Sequence, residues 1–329
     1  MRAIQIFQPG GPEVLTEVEL PTPEPGPGEI RVKAEAIGVG RPDVLVRKGT
    51  YKWMPPLPAI PGSELVGVVD KLGSGVSTLR TGQRVLVSAR ELPVRGGCCA
   101  EYICAPEKAV YVLPDHIDPV SAASLPNLQF ANALWECPGG REIGSILIPG
   151  ISGGVGSILT RLAKHKGVQV IGTTSSPAKK AFILDSGVDH LLQGDAQTLP
   201  PAVKEVTGGR GVDFAVDQLG GDSLIACLRS LAPMGMVASI NIITGLPSAD
   251  VFVEMRALLA RSLALRTFSM HTFDSDEAKR RSLMQLAIAQ MARGDVQVPP
   301  STVMALSDIR QAHEMLDAGA SQGKIVLQP

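Results

Sequence analysis

The stretch Gly144-Ser-Ile-Leu-Ile-Pro-Gly150-Ile-Ser-Gly153-Gly154-Val155-Gly156-Ser157, continued by Ile-Leu-Thr-Arg-Leu-Ala-Lys164, decides how this chain is read. A short apolar run of strand type ends in a cluster of glycines, and a helical pattern opens at once. In that setting glycines let the backbone turn tightly, approach a pyrophosphate closely and bring the helix against the strand. The first helical turn then points unpaired N–H groups and a partial positive charge at the anion. A strict G-x-G-x-x-G is absent, because Ile151 stands where its first glycine would fall. The spacing is instead Gly150-x-x-Gly153-x-x-Gly156, with Gly154 between. Val168-Gln-Val-Ile-Gly-Thr-Thr174 comes one helix length later as a second strand and completes a βαβ unit. A glycine cluster alone also marks ordinary turns. The strand–loop–helix context makes this one a dinucleotide site, with Gly153, Gly154, Val155 and Gly156 as its candidate pyrophosphate contacts.

The residues after the second strand bear on which dinucleotide is held. A carboxylate about 20 residues past the glycines would take the ribose 2′-OH of NAD. From Ser157 through Leu184 there is no Asp or Glu. The strand ends instead in Thr173-Thr174-Ser175-Ser176-Pro-Ala-Lys179-Lys180. Hydroxyl donors and a lysine suit a 2′-phosphate, each charge-assisted hydrogen bond contributing ~1.5–3 kcal/mol. Ser175, Ser176 and Lys179 are therefore candidate phosphate contacts and NADPH is the expected cofactor. Ser175 and Ser176 also suit a helix cap, and a hydroxyl can serve both ends.

The 329 residues allow two domains, and a hydrophobic share of 44% is ample for two cores. A formal net charge of −1 with no long basic run argues against nucleic acid or an anionic membrane as the main partner. The opening residues lack the apolar core of a signal peptide, and no apolar run of about 18 residues occurs. Five cysteines, with Cys98 and Cys99 adjacent, do not form the pattern of a disulfide framework. A reduced, cytoplasmic enzyme is the expected class.

Residues 1–120 alternate short strand-like runs with Pro/Gly turns, the pattern of a small, partly closed β domain. Strands are expected at Ala3–Phe7, Val14–Leu20, Glu29–Gly38, Glu64–Leu72, Gln83–Ser88 and Ala100–Cys104. A helix over Val120–Leu134 then opens an alternation, with strands at 145–149, 168–173, 190–193, 212–217 and 235–241 each preceded by a helical pattern. That order predicts a doubly wound parallel sheet covered on both faces. Leu263–Phe268 reads as a further strand and Ser275–Arg293 as a long helix. The tail is β-like again around one helix, Asp308–Ala318. The expected division is 1–120 with 297–329 for the β domain and 121–296 for the dinucleotide domain.

Phrases spread along nearly the whole chain carry a resemblance. They are Gly10-Gly-Pro-Glu-Val-Leu15, Pro25-Gly-Pro-Gly-Glu29, Pro61-Gly-Ser-Glu64 with Gly67-Val-Val69, and Gly82-Gln-Arg-Val85. Ala100-Glu-Tyr102, Ser152-Gly-Gly-Val-Gly156, Val216-Asp-Gln-Leu-Gly220 and Gly323-Lys-Ile-Val-Leu327 continue the series. In this order and spacing the chain resembles the quinone oxidoreductase (zeta-crystallin-like) branch of the medium-chain dehydrogenase/reductases. The resemblance implies an α/β protein with a GroES-like, partly closed β-barrel domain and a Rossmann domain, NADPH held in the cleft between them, and a homodimer. It also implies that Tyr51 stands near the nicotinamide as the candidate catalytic residue, the alternative being a rim tyrosine that packs on Pro55 and Pro56. Ser239-Ile240-Asn241 and Thr267-Phe268-Ser269 would meet the cofactor, Asn241 replacing a usual glycine. Other positions depart from the family: Gly40 stands for a frequent Asn, Arg41 for Pro, Ala131 for Thr, and Gly194 for an adenosine-side Tyr or His.

Related zinc alcohol dehydrogenases carry a cysteine where this chain has Gly40 and a histidine where it has Ser63. Only the adjacent carboxylate, Glu64, remains, and the four-cysteine lobe is missing. Two ligands cannot be lost from a tetrahedral site without losing it, so no metal is expected. Without a Lewis acid, a conjugated acceptor suits the site better than a simple alcohol, because it takes hydride at carbon and spreads charge onto oxygen. The expected activity is zinc-independent transfer of hydride from NADPH to a quinone or α,β-unsaturated carbonyl. An enoyl-thioester reductase is the nearest alternative, with Arg47, Lys48, Lys52, Arg90 and Arg95 as a phosphate-facing patch. A catalytically idle NADPH-binding protein is the third. Asp43 and Arg47 read as an i, i+4 ion pair, and His271 as the one histidine placed near the nicotinamide strand.

Overall fold

The computed structural model describes residues 1–329, which divide into two compact units. The first comprises Met1–Pro126, Ile288–Gly294 and Pro300–Pro329; the second comprises Asn127–Ala287 and Asp295–Pro299.

Strands β1 (Arg2–Gln5) to β7 (Val110–Val112) belong to the first unit, with β2 at Thr16–Glu19, β3 at Glu29–Val39, β4 at Glu64–Leu72, β5 at Arg84–Ser88 and β6 at Tyr102–Pro106. Its helices are α1 (Arg41–Arg47) and α2 (Pro119–Ala122). Helix α3 (Leu125–Trp135) comes after a break at Ala123–Ser124, where the sequence pattern predicts a single helix. The second unit contains β8 (Ser145–Ile148), α4 (Gly154–His165), β9 (Gln169–Thr173), α5 (Lys180–Asp185), β10 (His190–Leu192) and α6 (Leu199–Val206). It continues with β11 (Val212–Asp217), α7 (Asp222–Ser230), β12 (Leu231–Ser239), α8 (Val251–Ala257) and β13 (Ala264–Thr267), and α9 (Glu277–Arg293) begins in it, the residues from Ile288 onward being counted with the first unit. The chain then adds β14 (Thr302–Ala305), α10 (Ile309–Asp317) and β15 (Ile325–Gln328).

In the first unit a seven-stranded sheet runs β14-β15-β3-β4-β5-β7, with β6 also on β3, and β1-β2 form a separate pair. Strand β3 explains the arrangement. Ile30, Val32, Ala34 and Ala36 alternate inward along its first part, and from Ile37 to Val39 every residue is buried. Alternation marks a half-covered strand, and continuous burial marks one covered on both faces. The doubly covered end pairs Gly38 with Glu64 of β4 and with Val326 of β15. Buried polar side chains accumulate at that end.

The second unit has a six-stranded parallel sheet in the order β10-β9-β8-β11-β12-β13. Counted from β8, this is the doubly wound order 3-2-1-4-5-6, whose crevice at the strand ends beside β8 receives dinucleotides in such folds. Strand β8 is buried along its whole length, as a central parallel strand must be. Strand β12 begins at Leu231, four residues earlier than its sequence pattern predicts; Met234 adopts φ 64° within it and its pairing with β11 shifts there.

Candidate functional site

The glycine segment lies between the end of β8 and the start of α4. Gly150 has φ 64°, in the left-handed region that favours glycine. Its amide donates to Thr173 Oγ1 at 3.4 Å, and the next amide, of Ile151, donates to the Thr173 carbonyl at 3.2 Å. These bonds fasten the loop to the end of β9. The missing first glycine has a physical explanation. Ile151 is buried against Gly172 of β9, where an added Cβ would come 2.4 Å from Ile151 Cδ1. A glycine on the strand has made room for the side chain in the loop.

Gly156 answers a different demand, since a Cβ there would stand 2.6 Å from the Ile151 carbonyl oxygen and 2.8 Å from Gln218 Nε2. Gln218 in turn donates to the carbonyls of Pro149 and Gly150, at 2.9 and 3.1 Å. Gly153 is the N-cap of α4 and has no side chain to satisfy the first amides. The space where its Cβ would go is open, the nearest atom being Gly150 O at 3.8 Å. A helix start with a bare cap and an open approach meets the physical requirements of a phosphate seat, which Gly153, Gly154, Val155 and Gly156 could supply.

Beyond β9, Ser175 is exposed and Ser176 half-buried. Ser176 precedes a short helical turn without capping it through its side chain, which leaves that hydroxyl for another partner. Lys179 is buried, and burial alone pulls its ammonium below the ordinary lysine range. A phosphate nearby would favour the charged form of such a lysine. Gly194, with φ 151°, leads into the turn before α6, where a Cβ would come 2.8 Å from the amide of Leu199.

At the end of β12, the Ile240 amide donates to the Asp217 carbonyl at 2.9 Å and the Phe268 amide to the Ser239 carbonyl at 3.0 Å. Ile240, Asn241, Thr267 and Ser269 thus lie at the ends of neighbouring parallel strands, Ser239 being paired with Thr267. The Phe268 ring turns into a small core, 5.6 Å from Phe130 and 6.3 Å from Phe273 between centroids. Ser269 Oγ accepts from the His271 amide at 3.3 Å. His271 Nδ1 lies 2.9 Å from Asp274 Oδ2, which accounts for that histidine locally.

The first unit gathers a second set of groups where β3, β4 and β15 meet. Tyr51 packs on Trp53, with ring centroids 5.7 Å apart, and its hydroxyl is hydrogen-bonded with Arg95. Burial pushes the Tyr51 phenol up, against the opposing pull of Arg90 and Arg95. Lys52 and Arg95 flank the Trp53 ring at 5.3 and 5.8 Å. Asp43, on α1, is only 1% exposed. Its Oδ2 accepts from the Gly40 amide at 2.8 Å, and its Oδ1 accepts from Ser63 Oγ at 2.9 Å. The Asp43–Arg47 pair expected from spacing does not form. Arg47 instead donates through Nη2 to Asp317 Oδ2 at 2.6 Å, bringing α10 to α1.

Asp43 is pushed up to about 6, first by burial and then by the neighbouring Glu64 carboxylate, with Lys324, the Gly40 amide and Ser63 opposing. Glu64 is itself ion-paired with Lys324, both buried. Cys98 and Cys99 lie in the core, where burial pushes their thiols well above the usual range. That environment suits neither metal ligation nor nucleophilic chemistry. Gly40 brings no donor atom, and the Ser63 hydroxyl is held by Asp43. No set of three or more His, Cys, Asp or Glu side chains is placed to hold a metal ion.

Comparison with known proteins agrees with this architecture. The family model described as alcohol dehydrogenase GroES-like domain matches residues 26–115, and that described as zinc-binding dehydrogenase matches residues 154–289. A quinone oxidoreductase of Salmonella typhimurium is 31% identical over 331 residues, covering 99% of each chain. The chain belongs to the quinone oxidoreductase branch of the medium-chain dehydrogenase/reductases. A second member of that branch, the quinone oxidoreductase of Pseudomonas aeruginosa, is 31% identical and covers 100% of this chain and 99% of its own. Among solved structures, a mycobacterial protein complexed with NADPH superposes with a TM-score of 0.88 at 33% identity, covering 100% of both chains. The Escherichia coli quinone oxidoreductase complexed with NADPH gives a TM-score of 0.84 at 26% identity, again over 100% of both.

Within this family frame, two members of the buried polar cluster carry no signal of their own in the sequence. Ser63 reads there only as a missing histidine, and Lys324 only as part of a closing phrase. Asp43–Ser63 spans 20 residues and Lys324–Glu64 spans 260, so neither contact leaves a local periodic pattern.

Proposed function

We propose that this chain is an NADPH-dependent, zinc-independent oxidoreductase of quinones or α,β-unsaturated carbonyls. The observation that carries the reading is the donor-poor β3–β4 end of the first unit, where Gly40 and an Asp43-bound Ser63 offer no tetrahedral ligand set; the open helix-capping glycine segment of the second unit, taken by itself, supports the cofactor. Relatives named quinone oxidoreductases over nearly the full chain, and solved relatives complexed with NADPH, support it.

When bound, NADPH supplies a hydride from its nicotinamide. The chain's own residues do the rest. Gly153 to Gly156 receive the pyrophosphate on the first turn of α4, and Ser175, Ser176 and Lys179 take the 2′-phosphate. Backbone groups at Ile240, Asn241, Thr267, Phe268 and Ser269 bound the nicotinamide end. Tyr51 orients the acceptor oxygen with its phenolic O–H, which its raised titration range keeps protonated.

Reductase assays with NADPH and a panel of quinones and enones test the reading, with metal analysis of the same preparation. Turnover without stoichiometric zinc is expected. Protein that binds NADPH yet reduces none of the panel overturns it. The cationic groups around Tyr51 and Trp53 favour one second reading, an enoyl-thioester reductase, since Lys52, Arg90 and Arg95 would meet a phosphate-bearing arm. Comparing crotonyl-CoA with a free enone separates the two.

We further propose a homodimer, formed through the second unit. Strand β13 is the outer strand of its sheet, and an outer strand presents unpaired backbone groups. The same unit exposes Leu246, Phe252 and Val253 to 79%, 72% and 63%. Five unpaired cysteines support a reducing compartment, and no helix is long and apolar enough to cross a membrane.

A further inference from the structure

We propose that Ser63 is the proton donor to the reduced acceptor, with the buried Asp43 carboxyl behind it as the proton store. The inference rests on the reductase reading and adds the second half of its reaction.

A conjugated acceptor that takes up a hydride still needs a proton, and the source must meet water or substrate on one side and hold a proton on the other. Ser63 and Asp43 have that arrangement. Ser63 is half-buried, whereas Asp43 is 1% exposed. One carboxyl oxygen of Asp43 is occupied by the Gly40 amide at 2.8 Å, so a proton on the other, Oδ1, faces Ser63 Oγ at 2.9 Å. The serine is fixed in place. Its carbonyl accepts from the Ala89 amide at 2.8 Å, and Pro61, two residues earlier, accepts from the Cys99 amide at 2.9 Å. Between them, Gly62 at φ 109° lies so close that a Cβ would meet the Cys99 amide at 2.5 Å. Such a fixed donor loses little freedom when the acceptor arrives.

The charges around the store suit a mobile proton. Facing Asp43 are Glu64 from β4, Lys324 from just before β15, the thiols of Cys98 and Cys99, and the Tyr51 phenol. With the thiols and phenol neutral, one ammonium stands against two carboxylates, and one added proton makes the group neutral. Burial favours that neutral form, and it raises the Asp43 carboxyl to about 6.

The step balances. Hydride adds to the β-carbon of an enone, or to a quinone, and its electron pair moves to the carbonyl oxygen. The Ser63 O–H bond breaks as a new bond forms between that proton and the enolate or phenolate. Ser63 Oγ regains a proton from Asp43 Oδ1. After product leaves, Asp43 is recharged from water through Ser63. The sum is one NADPH, one acceptor and one proton, giving NADP⁺ and the two-electron-reduced acceptor.

The test compares wild type with Ser63→Ala, Ser63→Thr and Asp43→Asn, using NADPH with methyl vinyl ketone and with p-benzoquinone. Ser63→Ala and Asp43→Asn are expected to lower kcat on the enone by ~10²-fold, within the usual range for a removed general acid, with KM for NADPH little changed. Ser63→Thr keeps the hydroxyl and should retain most of the rate. Wild-type kcat should fall as pH rises past the Asp43 titration, and Asp43→Asn should lose that limb. An independent readout uses cofactor-free protein with ¹³C-labelled aspartate, in which one carboxyl resonance should titrate well above the others and be missing from Asp43→Asn. Wild-type kcat and pH profile in Ser63→Ala overturn the proposal while leaving the reductase reading intact. Equal losses in Ser63→Ala and Ser63→Thr, with matching falls in Tm, also overturn it. A wild type that binds NADPH and reduces neither acceptor removes both readings.

Discussion

Lys324 and Glu64 form an ion pair across the bare backbone of Gly38, in the interior of the first unit. A Cβ on Gly38 would come 2.5 Å from Glu64 Oε1 and 2.7 Å from Lys324 Cε, so the glycine is what allows the two side chains to meet there. Removing one partner strands a buried charge, whereas removing both need not. Lys324→Met is expected to destabilise the first unit by ~3–5 kcal/mol, and adding Glu64→Gln should recover most of that loss. Urea denaturation of the two variants checks it.

Two glycines of the α4 segment should behave differently on gaining a methyl group. Gly153→Ala meets open space at ordinary φ and is expected to fold as wild type while weakening NADPH binding, because the new methyl stands in the phosphate approach. Gly156→Ala drives a methyl against the Ile151 carbonyl at 2.6 Å and should lose both stability and binding, although alanine is the better helix former by ~1 kcal/mol. Thermal melts alongside NADPH titrations distinguish the pair.

Selectivity for the phosphorylated cofactor should reside in Lys179. Lys179→Met is expected to raise the Kd for NADPH about tenfold, the loss of one charge-assisted hydrogen bond, and to leave the Kd for NADH unchanged. Fluorescence titration with both nucleotides reads the ratio.

His313 and Asp43 oppose one another in acid. The His313 ring is fully buried and pushed down to about 4, by burial first and then by Arg47. The unfolded chain therefore protonates first, near pH ~6.5, and stability falls as pH drops from there towards 4. Asp43, pushed up to about 6, takes its proton first in the native state, and its contribution rises as pH falls over a similar window. His313→Leu should gain stability relative to wild type between pH 6.5 and 4, and Asp43→Asn should lack the acid-side rise of ~3 kcal/mol that Asp43 contributes. Urea midpoints at stepped pH give both slopes.

The proposed association through the second unit predicts a dimeric wild type in sedimentation velocity, and a monomer at the same concentration when Leu246→Asp is combined with Phe252→Asp. A monomeric wild type, or a dimeric variant, would set that surface aside.

The βαβ unit around Gly150–Gly156 is legible in the sequence because strand, loop and helix each leave a local signal. Glu64–Leu72 and Val212–Asp217 are legible to the residue for the same reason. Strand β7 escapes because three residues are too few to show a period, and the start of β12 because Pro233 and Gly235 resemble a turn. The candidate site is legible unevenly. Its glycines announce themselves, whereas Asp43 has the spacing of a local pair with Arg47 and finds its partner in Ser63. That choice depends on the pairing of β3 with β4, which no short window contains.

Strand β15 lies on the Ile37–Val39 end of β3, whose other side is already taken by β4. Lys324, just before β15, stands 260 residues beyond Glu64. A sheet made of β3, β4 and β5 alone would therefore hold the Glu64 carboxylate without its counter-ion, and the docking of β15 and the neutralisation of that carboxylate are one event.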